Sequence, residues 1–385
     1  MRARDLGLRI GTIDAGPLDA ITDVPGVRVG HATMIRGDGP LVRGEGPVRT
    51  GVTVVVPHDG DVWLEPVFAG CHRLNGDGEL TGLEWIREAG LLSGPIGLTN
   101  THSVGVVRDV LIEDAVASHE QGAPIWSLPV VGETYDGALN DIDGFHVTPD
   151  HVAEALRSAA AGPVAEGGVG GGTGMVCHGF KGGIGTASRL APGPDGPWTV
   201  GVLVQANYGS REQLRIDGVP VGRAIPRTDL PSPWDQASDA RRRFRGSEGA
   251  GSIIVIVATD APLLPHQCAR LAQRPTLALG RMGSIASTGS GDLFLAFATG
   301  NRLRAGESAP GDPDDETPRA VDVRMVGEGA IDGLFAATVE ATEAAIVNAL
   351  LAAETMVGRD GIVAHALPHD RLAAVLAAHG RPLGS

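Results

Sequence analysis

The sequence predicts a layered α/β protein, and three features predict it. Residues 253–258 form an unbroken apolar run rich in β-branched types, the pattern of a strand buried on both faces. Glycine-rich turns separate several other apolar runs earlier in the chain. Residues 331–356 then carry a long alanine-rich helical pattern, and 370–379 a last helix. Strands punctuated by glycine and followed by helices build packed layers rather than a repeating βαβ unit.

Taken in order, Val24–Val29 and Gly51–Val56 read as short strands, the second stopped by Pro57. Residues 80–92 read as a short helix carrying Leu83, Trp85 and Leu91. Two largely apolar runs, 104–111 and 125–131, each lead into polar residues, where sites tend to form. Thr148 is a natural N-cap, with Pro149 at the first position of a helix reaching about residue 161. Trp198–Asn207 is an apolar strand that delivers a polar residue at its end. Residues 208–249 lose periodicity and read as a linker, and 305–320 as an exposed acidic loop. Further strands are expected at 276–279 and 293–298.

Composition narrows the function. With 31 Lys+Arg against 46 Asp+Glu, the net charge is −15. The basic run Arg241, Arg242, Arg243 and Arg245 reads as a solvated linker, so nucleic acid is not expected as a partner. No apolar run approaches the ~20 residues needed to span a bilayer, and the first residues lack the apolar core of a signal peptide. Cys71, Cys177 and Cys268 are too few and too scattered for a disulfide framework. The expectation is a cytoplasmic enzyme with no membrane partner.

Metal and nucleotide chemistry find little support. His365 and His369 are four apart, but Pro368 between them disrupts the helix that would present both. His266 and Cys268 are a lone pair, so no metal is expected. The glycines of 167–185 do not make a phosphate loop: Gly179-Phe180-Lys181-Gly182 lacks the Gly-Lys-Ser/Thr ending, and Gly170–Met175 lacks the last glycine of the dinucleotide pattern. They read instead as tight packing and turns, and no cofactor is expected. Lys181 is the sole lysine of the chain.

The Gly251–Ser252 junction carries chemistry of its own. A polar linker ends there and a buried strand begins. Were that bond cut, Ser252 would hold a free α-amino group, with an ordinary pKa of about 7.7–8.0, beside its hydroxyl. A serine with its own base attached is an activated nucleophile. Taken alone, Gly-Ser at a strand start is usually only a turn.

A wider pattern supports the first reading. Gly-Pro-Val-Arg-Thr-Gly-Val-Thr (46–53), Leu-Thr-Asn-Thr-His-Ser-Val-Gly (98–105) and Pro-Val-Val-Gly-Glu-Thr-Tyr-Asp-Gly (129–137) occur in order along the chain. Gly-Gly-Gly-Thr-Gly-Met (170–175), Phe-Lys-Gly-Gly-Ile-Gly-Thr (180–186), Gly251-Ser252 and Ser-Thr-Gly-Ser-Gly-Asp (287–292) follow. Together they resemble the DmpA/β-peptidyl aminopeptidase family, relatives of the ornithine acetyltransferase-like N-terminal-nucleophile enzymes.

The resemblance implies a single-domain, four-layer αββα sandwich that cuts itself into an α chain, 1–251, and a β chain, 252–385. It implies that Ser252 is the nucleophile both for autocleavage after Gly251 and for catalysis. Ser290 would touch the Ser252 hydroxyl, with Asp292 orienting Ser290. Asn207 and Tyr135 would stabilise the oxyanion, and Glu133 would bind the free amine of the substrate. Trp126, near that segment, is a candidate pocket wall, with core packing as the plainer alternative. The implied activity is a serine aminopeptidase or amidase acting on short peptides and on amino-acid amides or esters. Aminoacyl transfer through the same acyl-enzyme, and an uncut non-catalytic scaffold, are the alternatives. The implied assembly is a ring-like homo-oligomer, a tetramer of αβ heterodimers.

Overall fold

Two sheets lie face to face, and each is backed by helices on its outer side. The computed structural model describes residues 1–119, 126–194, 196–236, 249–303 and 320–384. The arginine run at 241–245, Ile125 and all but the last residue of the 305–320 loop lie outside the described residues. In chain order the strands begin with β1 (Arg28–Arg36), β2 (Val48–Val56), β3 (Val67–Arg73), β4 (Leu91–Leu92), β5 (Ile96–Asn100) and β6 (Val130–Thr134). They continue with β7 (Val176–Cys177), β8 (Phe180–Lys181), β9 (Gly183–Ala191), β10 (Trp198–Gly209), β11 (Gly249–Thr259) and β12 (Asp292–Arg302). The longer helices are α1 (Leu83–Ala89), α2 (Val104–Ala117), α3 (Pro149–Arg157), α4 (Pro265–Ala272), α5 (Pro275–Arg281), α6 (Ile331–Ala352) and α7 (His369–Ala378).

One sheet has the order β1-β2-β5-β6 and the other β4-β3-β12-β11-β10-β9. Side chains from both fill the space between them: Val55, Ile96, Leu98 and Val130 meet Leu203, Ile254, Ile256, Leu295 and Phe297. Fully burying such a side chain is worth about 1.5–3 kcal/mol, so this seam is a principal source of stability. Helices α2 and α3 cover the outer face of the four-stranded sheet. Helices α4 and α6 cover the outer face of the six-stranded one. The result is the four-layer αββα sandwich. Helix α6, with the turn before it, is long and apolar enough by composition to cross a membrane, yet most of it is buried against β9 and β10.

The glycine-dense segment crosses between the sheets. A Cβ on Gly171 would fall 2.1 Å from Gln205 Oε1 and 2.7 Å from the Leu98 carbonyl, so only glycine lets the backbone pass there. This agrees with a packing role rather than phosphate binding.

Several local expectations need correction. Residues 276–279 are helical: Pro275, Ala278, Leu279 and Met282 are buried at helical spacing, with Pro275 at the first position. The first strand starts at Arg28, because Pro25-Gly26 makes a turn with Gly26 at φ +85°. The early part of the expected linker is core: Leu214, Ile216, Val221 and Ile225 are buried. Buried Arg211 donates there to the carbonyls of His178, Gly179, Ile225 and Leu230. Helix α3 is shorter than expected, ending at Arg157. Strand β11 begins at Gly249, so Gly251–Ser252 lies inside a strand and not at its edge.

Candidate active site

The sheet topology assembles the site. Strands β11 and β12 run parallel, so both begin at one end of the sheet, where antiparallel β10 finishes. Ser252 therefore pairs with Asn207, and Ile253 with Asp292. Strand β6 of the facing sheet ends there too and brings Glu133 against the start of β11.

Ser252 is 5% exposed, and its Oγ accepts a hydrogen bond from the Gly291 backbone N–H at 3.1 Å. The Ser290 hydroxyl donates to Asp292 Oδ1 at 2.6 Å. Burial raises the Asp292 carboxyl to a pKa of about 6, against the opposing pull of bonds from Ser290, the Ile253 backbone and Asn75. The expected contact from Ser290 to the Ser252 hydroxyl is thus replaced by one from the backbone between Ser290 and Asp292. Gly291 offers this N–H in a tight place: a Cβ on it would lie 2.5 Å from the Asp77 carbonyl oxygen.

Asn207 is held at both ends of its amide. Oδ1 accepts from Val176 N–H at 2.7 Å, and Nδ2 donates to the Tyr135 backbone carbonyl at 3.0 Å. An amide nitrogen carries two hydrogens, so one remains for a further acceptor. Tyr135 enters this arrangement through its backbone, while its ring lies over Gly137, where a Cβ would fall 2.3 Å from the phenol oxygen. Gly251 packs on the same residue, since a Cβ on it would stand 2.1 Å from the Asn207 carbonyl oxygen.

Glu133 is buried, with Oε1 accepting from Glu79 N–H at 2.9 Å and Oε2 from the Thr101 hydroxyl. Gly78 separates this carboxylate from Ser252: a Cβ on Gly78 would be 3.1 Å from Glu133 Oε1 and 3.6 Å from Ser252 Oγ. The same Cβ would stand 3.0 Å from Gly291 Cα, so glycine is what lets the 77–78 turn pack against the Ser290–Asp292 segment. Trp126 is 64% exposed and packs edge-to-face on Trp85 at 5.0 Å. Core packing is therefore not its role.

The sequence reading missed Asn75, Gly78, Glu79, Thr101 and Gly291. Asn75 donates to the Ser287 carbonyl at 2.9 Å and lies 3.4 Å from Asp292 Oδ2, steadying the turn that carries Ser290. A signal existed in Asn75-Gly-Asp-Gly-Glu79, a polar turn too rich in glycine and acid to be mere punctuation. Among the described residues no group of three or more His, Cys, Asp or Glu is placed to hold a metal.

The model of peptidase family S58 matches residues 19–364. The chain belongs to that family. It is 48% identical to the β-peptidyl aminopeptidase BapA of Sphingosinicella microcystinivorans, over 99% of this chain and 93% of that one. The β-aminopeptidase of a Burkholderia species superposes with a TM-score of 0.88 at 51% identity, covering 99% of both chains. The L-aminopeptidase D-Ala-esterase/amidase of Ochrobactrum anthropi gives 0.88 at 43% identity, covering 100% of this chain and 99% of that one. That structure is described as a prototype of the serine aminopeptidases and a variant of the Ntn hydrolase fold. This S58 chain accordingly has the Ntn-type αββα fold, and its cluster of Ser252, Asn207, Glu133 and the Ser290–Asp292 pair lies at one end of the stacked sheets.

Proposed function

We propose that this chain is a self-processing serine aminopeptidase and amidase that acts through an acyl-enzyme on Ser252. The observation that carries the reading is the place of Ser252, directly after Gly251, paired with Asn207 in the strand ladder and across Gly78 from the buried Glu133 carboxylate. In autocleavage, Ser252 Oγ attacks the Gly251 carbonyl carbon and the Gly251–Ser252 C–N bond breaks, leaving an ester and a free Ser252 amine. Water then hydrolyses the ester and releases residues 1–251 with a new carboxylate.

The new α-amino group is positioned to take the hydroxyl proton when a substrate carbonyl is attacked. The remaining Asn207 N–H supports the negative charge on the tetrahedral oxygen, a contribution worth about 3 kcal/mol in comparable sites. The leaving amine takes the proton, and water completes the cycle. The Ser290–Asp292 pair holds the turn whose Gly291 N–H meets Ser252 Oγ.

Glu133 selects substrates with a free amine by a charge-assisted hydrogen bond. The names of the relatives at 48% and 51% identity support substrates with an N-terminal β-amino acid in particular. A tetramer of αβ heterodimers in the cytoplasm is part of the same proposal, checked by light scattering of the processed protein. The activity is tested with β-alanyl and L-alanyl p-nitroanilides against their N-acetylated forms. Release of nitroaniline from the free amines alone, lost in Ser252→Ala, is expected; equal turnover of the acetylated forms would contradict the reading.

A further inference from the structure

The lone lysine of the chain is buried beside the site, and neither the nucleophile nor the amine pocket uses it. Lys181 is fully buried in the short β7–β8 hairpin, where it pairs with Val176. Its Nζ donates to the carbonyls of Gly182 at 2.8 Å, Met175 at 3.0 Å and Gly172 at 3.2 Å. An ammonium has three hydrogens, so each carbonyl receives one. The Met175 carbonyl belongs to the peptide unit whose N–H is that of Val176, and this N–H donates to Asn207 Oδ1 at 2.7 Å.

We infer that Lys181 is a positioning residue for the oxyanion donor, polarising Asn207 through the Met175–Val176 peptide. This role rests on Asn207 being the oxyanion donor, as proposed above. A cation on the carbonyl oxygen draws electrons from the peptide and strengthens Val176 N–H as a donor. That bond in turn polarises the Asn207 amide, so its free N–H binds a developing oxyanion more strongly. Hydrogen bonds linked in such a chain reinforce one another in a buried setting.

Burial, opposed by Cys177, draws the ammonium pKa down to about 7, and the three carbonyl acceptors suit the charged form. Cys177 on the same hairpin is the titratable side chain acting on it, and burial pushes that thiol up to about 12, so it stays neutral. His365 meets the hairpin through its backbone carbonyl, which accepts from the Lys181 N–H at 2.7 Å.

The test is a double-mutant cycle in the full chain, with kcat counted per processed molecule by intact mass. Lys181→Met is expected to lower kcat on β-alanyl p-nitroanilide by about 10- to 100-fold, with KM within about twofold. Asn207→Ala is expected to lower it by about 10²- to 10³-fold, and the double variant to fall no further. Where the methionine variant does not fold, Lys181→Gln retains two N–H donors without the charge and takes its place. Multiplicative losses in the double variant, a loss confined to KM, or unchanged kcat in a folded Lys181 variant would overturn the inference. Unchanged kcat in Asn207→Ala would instead sink the oxyanion assignment itself, and the two failures are read from different variants.

Discussion

Gly251 and Asn207 are fitted to each other so closely that a methyl group on Gly251 would stand 2.1 Å from the Asn207 carbonyl oxygen. One step along the strand, Ser252 is the direct partner of Asn207 in the ladder. Gly251, Ser252 and Asn207, to which the proposal gives the scissile bond, the nucleophile and the oxyanion donor, are thus placed by a single strand pair. A side chain at position 251 has to push β10 and β11 apart. Gly251→Ala is therefore expected to lower stability by about 1–3 kcal/mol and to slow autocleavage strongly, read as a lower Tm and a persistent full-length mass.

Asp292 gives a pH dependence whose sign can be worked out. Its folded pKa of about 6 lies above its ordinary carboxylate value, so between those values the folded chain binds more protons than the unfolded one. Stability contributed by this group is therefore present below the ordinary value and is lost as pH rises through about 6. Activity has the opposite trend, because the ionised carboxylate is the better acceptor for the Ser290 hydroxyl. Asp292→Asn is expected to keep or raise Tm at pH 7, to lower kcat by about 10²-fold, and to lose the acid limb of the kcat–pH profile centred near pH 6. Paired melting curves and rate profiles check both signs.

Glu133 faces Ser252 across Gly78, and its two oxygens are already oriented by Glu79 and Thr101. Glu133→Gln preserves shape and removes charge. KM for free-amine substrates is expected to rise by about 10- to 100-fold, and discrimination against N-acetylated substrates to shrink by a similar factor. Steady-state kinetics on matched free and acetylated anilides measure this directly.

The seam between the sheets supports the site from below. Ile254 is fully buried there, next to Ile253 and Ser252 on β11 and against Gly132 on β6. Ile254→Ala is expected to cost about 2–5 kcal/mol, visible as a lower denaturation midpoint with an unchanged slope.

Much of this arrangement was legible because it depends on local pattern. The apolar run of β11, the polar end of β10 at Asn207, and the Ser290-Gly-Asp292 turn all show in the sequence. The family motifs then tied these distant segments to one site. What stayed hidden depends on partners far away in the chain. Nothing near Gly78 announces that its bare Cα separates Glu133 from Ser252, and nothing near Gly291 announces its N–H on the Ser252 hydroxyl. The expected strand at 276–279 failed for a different reason: four residues are too few to show that 275, 278, 279 and 282 share a helical face. The expected linker after residue 208 failed because its apolar residues are scattered among polar ones, although Arg211 and Ile216 are core.

The central claim is that Ser252 cuts the bond before it and thereby becomes the catalytic nucleophile. Intact-mass spectrometry of the purified protein beside Ser252→Ala tests it most directly. Two fragments meeting between Gly251 and Ser252, found in the parent and absent from the variant, are the predicted result. A single full-length species in both after prolonged incubation would contradict it.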